Sequence, residues 1–449
     1  MMRQLLSAGS FEFSLRSRWR ASVFLLAIGL AALFMAGEAI RIAIATSLEE
    51  STKLPELRRA LTLDPANPKL HHQLGVVYSY SSGDLNPAEA IKHLRRATEL
   101  NPQGARYWAD LAAACESARD NICADQALER ALSLSPMAPR FHWFAANHYL
   151  GTDRTDKALR RFRRLLELSP DYAAPTFALC LRALGDPEII FQEVLPPGKD
   201  PKLRLAYVNF LSAHGETDFA ARVWSRTIAT ASPFPLAFAE PYLQRLLDLG
   251  RYKEAMSAWQ DLERLGVVEK PKTKDQENQV FNGDFEQVPL NAGFDWRTRE
   301  VPYLSLAFPD SGAYRGDRCL RLDFTVSRND ESEAAYQFVP VVPSQTYLLT
   351  AYTRSDNITS DSGPRLRVMD PACANCLNVS TDTTVGTTPW HPLSLMFSTG
   401  AQTQVVRLSV WRPRSRTFPT EITGTFCLDA VSLKAAAPAS EKAALQSAH

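Results

Sequence analysis

The feature that most constrains this chain is a short helix ending, a leucine followed by a polar residue and a proline. It recurs in the first half of the sequence at residues 61–65, 98–102, 132–136 and 166–170. The last three prolines, Pro102, Pro136 and Pro170, follow one another at intervals of 34 residues. The interval from Pro65 to Pro102 is 37 residues, which predicts a three-residue insertion near residues 81–86. A sustained period of this length predicts stacked helical hairpins.

The interior of each unit resembles the tetratricopeptide repeat, in which small residues let two helices approach and large ones fill the groove between them. Three units carry the pattern through Leu74, Gly75, Tyr78, Ala90, Leu94 and Ala97, then Trp108, Leu111, Ala112, Ala124, Leu128 and Ala131, then Ala145, Ala146, Tyr149, Ala158, Phe162 and Leu165. The register falters at 185–187, and residues 195–198 read as a loop. Two more units follow near 221–233 and 250–262, so we predict an array over residues 51–267.

The resemblance implies an interaction surface, because such arrays bind a peptide or protein on the concave side that the first helices line. Candidate contacts on these helices are His71, Gln73, Tyr107, Asp110, His142 and Asn147. Each of them also suits an ordinary packing or solvated position. The paired arginines of the second helices alternate with acids and are interpreted as a solvated convex face, so no nucleic-acid partner is expected.

The N-terminal region contains an uncharged stretch of 17 residues, Ala21 to Gly37. It predicts a transmembrane signal-anchor helix over residues 21–45. Arginines precede it at positions 3, 16, 18 and 20, so the positive-inside rule places residues 1–20 in the cytosol. The expected location is the inner (cytoplasmic) membrane, with a single pass and the bulk of the chain extracytoplasmic or periplasmic. The alternatives are a cleaved signal peptide ending near Ala45 and a buried or peripheral helix.

The second half of the chain changes character after a charged linker predicted at 268–279. Apolar and polar residues alternate in short runs, for example at 320–324, 349–354 and 406–411, between Gly, Pro, Asn and Asp turns. This period of two predicts an antiparallel β-sandwich over 280–435, followed by a disordered tail at 436–449. The predicted fold class is therefore multidomain: a transmembrane helix, an all-α repeat solenoid, then an all-β jelly-roll sandwich.

Three landmarks of the β domain resemble carbohydrate-binding modules: the opening segment 281–286 (FNGDFE), Trp390 before a strand, and the closing strand 426–433. The resemblance implies a jelly roll with a possible glycan ligand. It also implies a structural calcium ion held by Glu286 and Asp429, since carboxylate and carbonyl oxygens suit that ion. The alternative is a solvated Glu286 and an Asp429 that binds a turn. No other cofactor is expected.

Alternation also predicts a candidate glycan-binding face. The apolar partners on three strands must point to the core, which turns the intervening polar and aromatic residues outward. These outward residues are Tyr352, Arg354, Arg365, Arg367, Arg407 and Trp411. Aromatic rings stack on sugars, and guanidinium groups favour an acidic sugar. In the alternative interpretation the six belong to opposite sheets, or a loop such as 413–420 covers them.

The seven cysteines suggest an oxidising compartment, because four lie in the β domain. We predict a disulfide between Cys319 and Cys427, each beside a core-facing alternation, and a local one between Cys373 and Cys376. No second CxxC pair exists for zinc, and no βαβ pattern surrounds this one as in a thioredoxin-like site. Cys115 with Cys123 is a weaker candidate pair, and Cys180 is expected to stay reduced.

Catalytic motifs are missing from the sequence: it has no P-loop, G-x-S-x-G elbow, HExxH or GxGxxG after a strand. A formal net charge of +1 gives no global field for an acidic partner. The chain is therefore predicted to be a membrane-anchored, non-catalytic interaction protein of the cell envelope, with exopolysaccharide or envelope assembly as the expected process. The array would bind proteins and the sandwich a polysaccharide. One alternative is a glycan-binding surface protein in which the array is a spacer. A remote one is a polysaccharide hydrolase or lyase using acids such as Glu331 and Glu333.

Overall fold

The computed structural model describes residues 18–81, 83–198, 200–270, 275, 277–418 and 420–436. Most of the predicted cytosolic segment and of the C-terminal tail, and part of the predicted linker, lie outside these ranges. The chain divides into two compact units. One comprises residues 1–172 with 192–196, and the other comprises residues 173–191 with 197–449.

The first helix, α1 (Arg18–Ser47), contains an apolar stretch of 27 residues, Ala21–Ser47, with a mean hydropathy of 2.3. The most apolar 18 residues of this stretch are not buried against the rest of the protein. At about 1.5 Å per residue the stretch reaches about 40 Å, longer than the roughly 30 Å of bilayer hydrocarbon. Glu38 and Arg41, its two charged residues, form an ion pair of 2.5 Å one turn apart. The helix has the length and composition of a membrane span or a signal sequence.

The remainder of the first unit is built from helical hairpins. The helices are α2 (Leu54–Leu63), α3 (Pro68–Tyr80), α4 (Pro87–Leu100), α5 (Ala105–Ser117), α6 (Asn121–Leu134), α7 (Pro139–Gly151) and α8 (Thr155–Leu168). Six residues join α3 to α4, whereas three join α5 to α6. The predicted insertion is therefore confirmed as a longer turn inside the first hairpin.

Each second helix ends in the same way because a proline follows its C-cap residue. The C-caps are Asp64, Asn101, Ser135 and Ser169, and each donates its backbone N–H to the carbonyl four residues earlier. The next residue, proline, has no N–H with which to continue the helix. Small residues set the spacing within a hairpin: a methyl group added at Gly75 would lie 2.4 Å from Cγ of Leu94.

The second unit starts with α9 (Ala173–Leu184) and a short α10 (Pro187–Ile189), where the sequence period falters. A single π-helical turn follows at Ile190–Val194, of which residues 192–194 belong to the first unit. The sequence did not predict this turn. Two further hairpins restore the pattern: α11 (Lys202–Ala213) with α12 (Thr217–Ile228), and α13 (Glu240–Asp248) with α14 (Tyr252–Arg264).

The sandwich consists of two antiparallel five-stranded sheets. Sheet A has the order β1-β4-β9-β6-β7, and sheet B the order β2-β3-β10-β5-β8. The strands are β1 (Arg297–Thr298), β2 (Leu304–Ala307), β3 (Leu320–Arg328), β4 (Ser332–Pro340), β5 (Thr346–Ile358), β6 (Arg365–Met369), β7 (Asn378–Ser380), β8 (Gly386–Ser398), β9 (Val405–Arg412) and β10 (Ile422–Ala435). The predicted fold class is confirmed: a tetratricopeptide-like helical region precedes a β-sandwich.

The last helix packs against the start of the sandwich inside the second unit. The Trp259 ring on α14 lies 5.5 Å from Phe281 and 6.1 Å from Phe294, both edge-on. Gly293 has a φ of +54° and leaves no room for a side chain, since a Cβ there would lie 2.1 Å from the indole. Buried aromatic pairs of this kind contribute about 0.5–1.5 kcal/mol each beyond their burial. The β domain is therefore joined to a helix by packing as well as by the chain.

Candidate functional site

The structure divides the six predicted glycan-face residues between opposite sides of the sandwich. Arg365, Arg367, Arg407 and Trp411 lie on the outer face of sheet A, whereas Tyr352 and Arg354 lie on that of sheet B. The prediction of one common face is therefore wrong. Alternation correctly gave the outward direction of each residue, but it does not specify the sheet to which a strand belongs.

The sheet A residues form a compact cluster around Trp411, which we call the Trp411 site. The guanidinium of Arg367 lies 4.7 Å and that of Arg365 5.9 Å from the indole centroid. The indole Nε1 donates a hydrogen bond of 2.8 Å to Oε1 of Glu331. The half-buried ring is therefore stacked on cations, an attraction of about 0.5–2 kcal/mol per pair.

The adjoining part of the site contains a second aromatic–arginine pair. Arg407 lies 3.9 Å over the Tyr336 ring and forms an ion pair with Glu333. Arg299 shares that carboxylate at 3.6 Å. A cavity of 350 Å³ lies between these groups and is lined by Arg299, Glu331, Ser332, Glu333, Arg367, Met369, Arg407 and Trp411.

Several polar atoms beneath this surface lack a hydrogen-bond partner among the described residues. They are Nε of Arg365, Nε of Arg407 and Oγ of Ser409, which is fully buried. Arg365 and Arg367 also form no ion pair within the described part of the chain. Burial lowers the pKa of the Arg365 guanidinium. An unsatisfied buried polar group costs about 1–3 kcal/mol, so the site has capacity for hydrogen bonds that the protein itself leaves unused.

One residue that sequence reasoning missed holds the loops beside the site. Arg412 follows Trp411 and is only 1% exposed. Its guanidinium donates hydrogen bonds to the carbonyls of Asp330, Ser362 and Thr420. It thereby fixes the loop that carries Glu331 next to the indole. A charged residue at the inward phase of a strand was the only available sequence signal.

On the outer face of sheet B, a loop at residues 309–318 covers the predicted pair. The Tyr314 ring stacks on Tyr352 at 3.6 Å, and Gly312 lies against the guanidinium of Arg354. Arg354 also lies 5.3 Å over the ring of Trp390. These two residues are therefore engaged with their own loop, rather than open as the residues of the Trp411 site are.

The predicted calcium ligands hold this same loop. Oε1 of Glu286 accepts the backbone N–H groups of Asp317 and Arg318, and Oδ2 of Asp429 accepts those of Tyr314 and Arg315 at 2.8 and 2.9 Å. Burial raises the pKa of Asp429 to about 6. Surrounding N–H donors suit an anion rather than a cation. No group of three metal-ligating side chains occurs in the described part of the chain. Calcium binding at Glu286 and Asp429 stays a prediction from the resemblance.

The cysteines differ from the prediction in one pair. Cys373–Cys376 and Cys115–Cys123 are joined as disulfides, and Cys180 is a buried thiol. Cys319 and Cys427, predicted to be joined, are thiols in this structure. The strand register explains the difference, because Cys427 stands directly opposite Arg321, two residues beyond Cys319. Diagonal neighbours are about 7–8 Å apart at Cα, so a bond between these two sulfur atoms requires the strands to shift slightly toward each other.

Two of the predicted ligand contacts in the repeats have structural roles. His71 and His142 are at most 9% exposed, and each ring binds the carbonyl of the proline six residues earlier, at 3.1 and 2.9 Å. Trp108 occupies the equivalent position and donates to the Pro102 carbonyl at 3.0 Å. The rings therefore satisfy a carbonyl at three successive turns between units. His71 also lines a cavity of 540 Å³, and contact of the two histidines with a partner stays a prediction.

The other four predicted contacts are half-buried on the first helices α3, α5 and α7. Asp110 binds His72 at 2.5 Å, and the Tyr107 ring lies 4.7 Å from the same histidine. Gln73 donates to the Ser51 carbonyl and Asn147 to the Trp143 carbonyl. These side chains remain candidates for partner contacts.

Sequence reasoning missed a cluster of polar side chains around a buried histidine on neighbouring helices. His148 is 0% exposed and lies between Glu116 at 3.0 Å and Asp125 at 2.9 Å. Arg154 closes the cluster by pairing with Asp125, which lowers the pKa of that carboxyl. The four residues join α5, α6 and α7 with the turn before α8. Because these residues lie far apart in the sequence, no local pattern predicted that they would meet.

Comparison with known proteins gives no family assignment: no family model and no curated protein matches the sequence. Among solved structures, a crystal structure of MamA matches 44% of this chain and 89% of its own at 17% identity, with a TM-score of 0.26. PilF of Pseudomonas aeruginosa matches 51% and 91% at 18% identity, with a TM-score of 0.27. A carbohydrate-binding module, CBM4, matches 35% and 99% at 14% identity, with a TM-score of 0.26. Likenesses with TM-scores this low carry no argument about function.

The buried histidines give the repeats a defined pH dependence. Burial lowers the pKa of His71, His93 and His142, so the unfolded chain binds more protons than the folded one as the pH falls through about 6.5. We expect the melting temperature to fall on acidification from pH 7.5 to 5.5. The double variant His71→Gln/His142→Gln should lose less over this range, whereas the variant of an exposed histidine, His214→Gln, should match the parent. An undiminished pH dependence in the double variant would contradict this account.

Proposed function

We propose that this chain is a membrane-anchored, non-catalytic interaction protein of the cell envelope. Its β-sandwich binds an acidic polysaccharide at the Trp411 site, and its helical repeats bind partner proteins. The observation that carries the glycan proposal is the 350 Å³ cavity beside Arg367, Arg407 and Trp411, together with the unpartnered donors of Arg365, Arg407 and Ser409.

The charge of the Trp411 site supports an acidic rather than a neutral sugar. Four arginines, Arg299, Arg365, Arg367 and Arg407, face two carboxylates, Glu331 and Glu333. Guanidinium groups bind carboxylates through two parallel hydrogen bonds, and such charge-assisted bonds are about twice as strong as neutral ones. The Arg367 guanidinium already stacks on the indole, so the cation and the ring together form the recognition surface.

The roles of the two carboxylates support binding rather than hydrolysis. Glu331 holds the indole N–H of Trp411, and Glu333 pairs with Arg299 and Arg407. Glycoside hydrolysis needs one carboxyl group as a proton donor and a second as base or nucleophile on opposite sides of the scissile bond. Carboxylates that orient arginines and an indole are occupied in neither role.

The repeats support a second interaction surface. Polar and aromatic side chains such as Tyr107, Asp110 and Gln73 are half-buried on the first helices, the elements that line the binding side of a repeat array. The alternative function is a glycan-binding protein in which the array only spaces the sandwich from the membrane.

The anchor defines where both surfaces operate. We place α1 across the inner membrane with its N-terminus in the cytosol, because Arg18 and Arg20 precede the apolar stretch and Arg3 and Arg16 lie in the undescribed segment before it. Alkaline phosphatase fused after His449 should be active, and a cytosol-dependent fluorescent protein at the same position should stay dark. The reverse result would place the sandwich and repeats in the cytosol.

The glycan site makes a polymer-specific prediction. The full-length protein in detergent should be retarded in native gels that contain a polyuronate and not in gels that contain a neutral glucan. Trp411→Ala and Arg367→Ala should each weaken retardation at least tenfold, because each removes half of the stacked pair. Arg354→Ala on the opposite sheet is the matched control and should migrate like the parent. Unretarded migration of the parent, or equal weakening by all three variants, would contradict the proposal.

The partner-binding side of the array can be tested in the cell. A photo-crosslinking amino acid at Tyr107 should trap one or a few defined proteins, whereas the same residue at Arg130, exposed on the second helix α6, should not. Crosslinks that are absent from both positions, or identical at both, would favour the spacer alternative.

A further inference from the structure

The outer face of sheet B contains a sulfur atom between two cations. In the strand register, Cys427 on β10 stands directly opposite Arg321 on β3 and Arg354 on β5. The three residues form one row across three strands, and Nη2 of Arg354 lies 3.7 Å from the Cys427 Sγ. Directly opposed side chains of neighbouring strands interact, so both guanidinium groups act on this sulfur.

A second thiol completes the group. Cys319 directly precedes β3 on the same face, is 0% exposed, and donates its S–H in a hydrogen bond to the Cys427 sulfur. The remaining free cysteine of the described chain, Cys180, has no such neighbours. Cys180 is buried in a helix, and burial alone raises its thiol pKa to about 12.

Charge distinguishes the two sulfur atoms of the pair. The hydrogen bond from Cys319, with the contact and charge of Arg354 and the charge of Arg321, lowers the pKa of Cys427 to about 6. The same hydrogen bond and burial raise the pKa of Cys319. Negative charge on the pair is therefore favoured at the Cys427 sulfur rather than at Cys319. A thiolate is the nucleophilic form of cysteine.

A cavity lies beside the Cys427 side chain. Its volume is 430 Å³, and its lining includes Arg321, Arg354, Thr388, Thr425 and Cys427. Cys427 is 1% exposed, so only a compact reactant in this cavity could approach its sulfur. The arginines lie where negative charge would develop on such a reactant.

We propose that Cys427 and Cys319 form a redox-reactive pair that a hydroperoxide converts into a disulfide. The Cys427 thiolate attacks one peroxide oxygen, so an S–O bond forms, the O–O bond breaks, and the departing alkoxide or hydroxide takes a proton from water. The Cys319 sulfur then attacks the sulfenic acid, an S–S bond forms, and hydroxide leaves with the Cys319 proton as water. Two thiols lose two electrons, and the hydroperoxide is reduced to an alcohol or water. This chemistry is independent of the glycan site on the opposite sheet.

The test uses the full-length protein in detergent, reduced, freed of reductant and exposed to hydrogen peroxide, with each cysteine quantified by peptide mass spectrometry. The parent should yield a linked Cys319–Cys427 peptide at least ten times faster than Cys180 is oxidised. In Cys319→Ser, Cys427 should be trapped as a sulfenic acid adduct by dimedone. In Cys427→Ser, Cys319 should stay unmodified.

A charge-removing variant and its control complete the test. Arg354→Gln should slow the parent reaction at least fivefold, whereas Arg130→Gln, exposed on α6, should not, and a protected Cys180 in every variant shows that the fold is intact. The proposal is overturned if Cys427 in Cys319→Ser reacts with dimedone no faster than Cys180. It is equally overturned if the link forms at the same rate in air without peroxide.

Discussion

The inner faces of the two sheets pack on each other through residues that are almost fully excluded from water. Leu366, Val410, Phe426 and Leu428 are each at most 2% exposed. Burial of apolar surface stabilises the fold by about 25 cal/mol per Å², so the apolar phase of every strand must face this core. The side chains that alternate with these core residues must then lie on the outer faces of the two sheets. Arg321, Arg354, Arg365, Arg367, the Trp411 indole and the Cys427 sulfur lie there as a consequence of the core.

Arginines therefore accumulate on both outer faces, and their neighbours decide what each face can do. On sheet A, the guanidinium groups of Arg365 and Arg367 stack on an indole and pair with no carboxylate of the described residues. On sheet B, Arg321 and Arg354 flank a cysteine sulfur. The arginines of sheet A are thus available to bind an external anion, whereas those of sheet B stabilise negative charge on a cysteine sulfur. Both proposals follow from this difference.

The helical half depends on a different constraint, the carbonyl groups left unpaired where helices end at proline. The rings of His71, Trp108 and His142 satisfy the carbonyls of Pro65, Pro102 and Pro136 in successive units. The interaction repeats with the sequence period at these three turns. The two histidines therefore contribute to the packing of successive units.

The sequence by itself determined the repeat period, the longer first turn, the apolar helix and the inward or outward phase of each strand. These properties are local, since proline, glycine and alternation act over a few residues. Only the tertiary structure decided that Tyr352 and Arg354 lie on the other side of the sandwich from Trp411. It also decided that Cys427 stands opposite Arg321 rather than Cys319. The binding of backbone N–H groups by Glu286 and Asp429 is likewise visible only in the folded chain. Strand order and register join residues up to about a hundred positions apart, and no periodicity in a single strand specifies its neighbours.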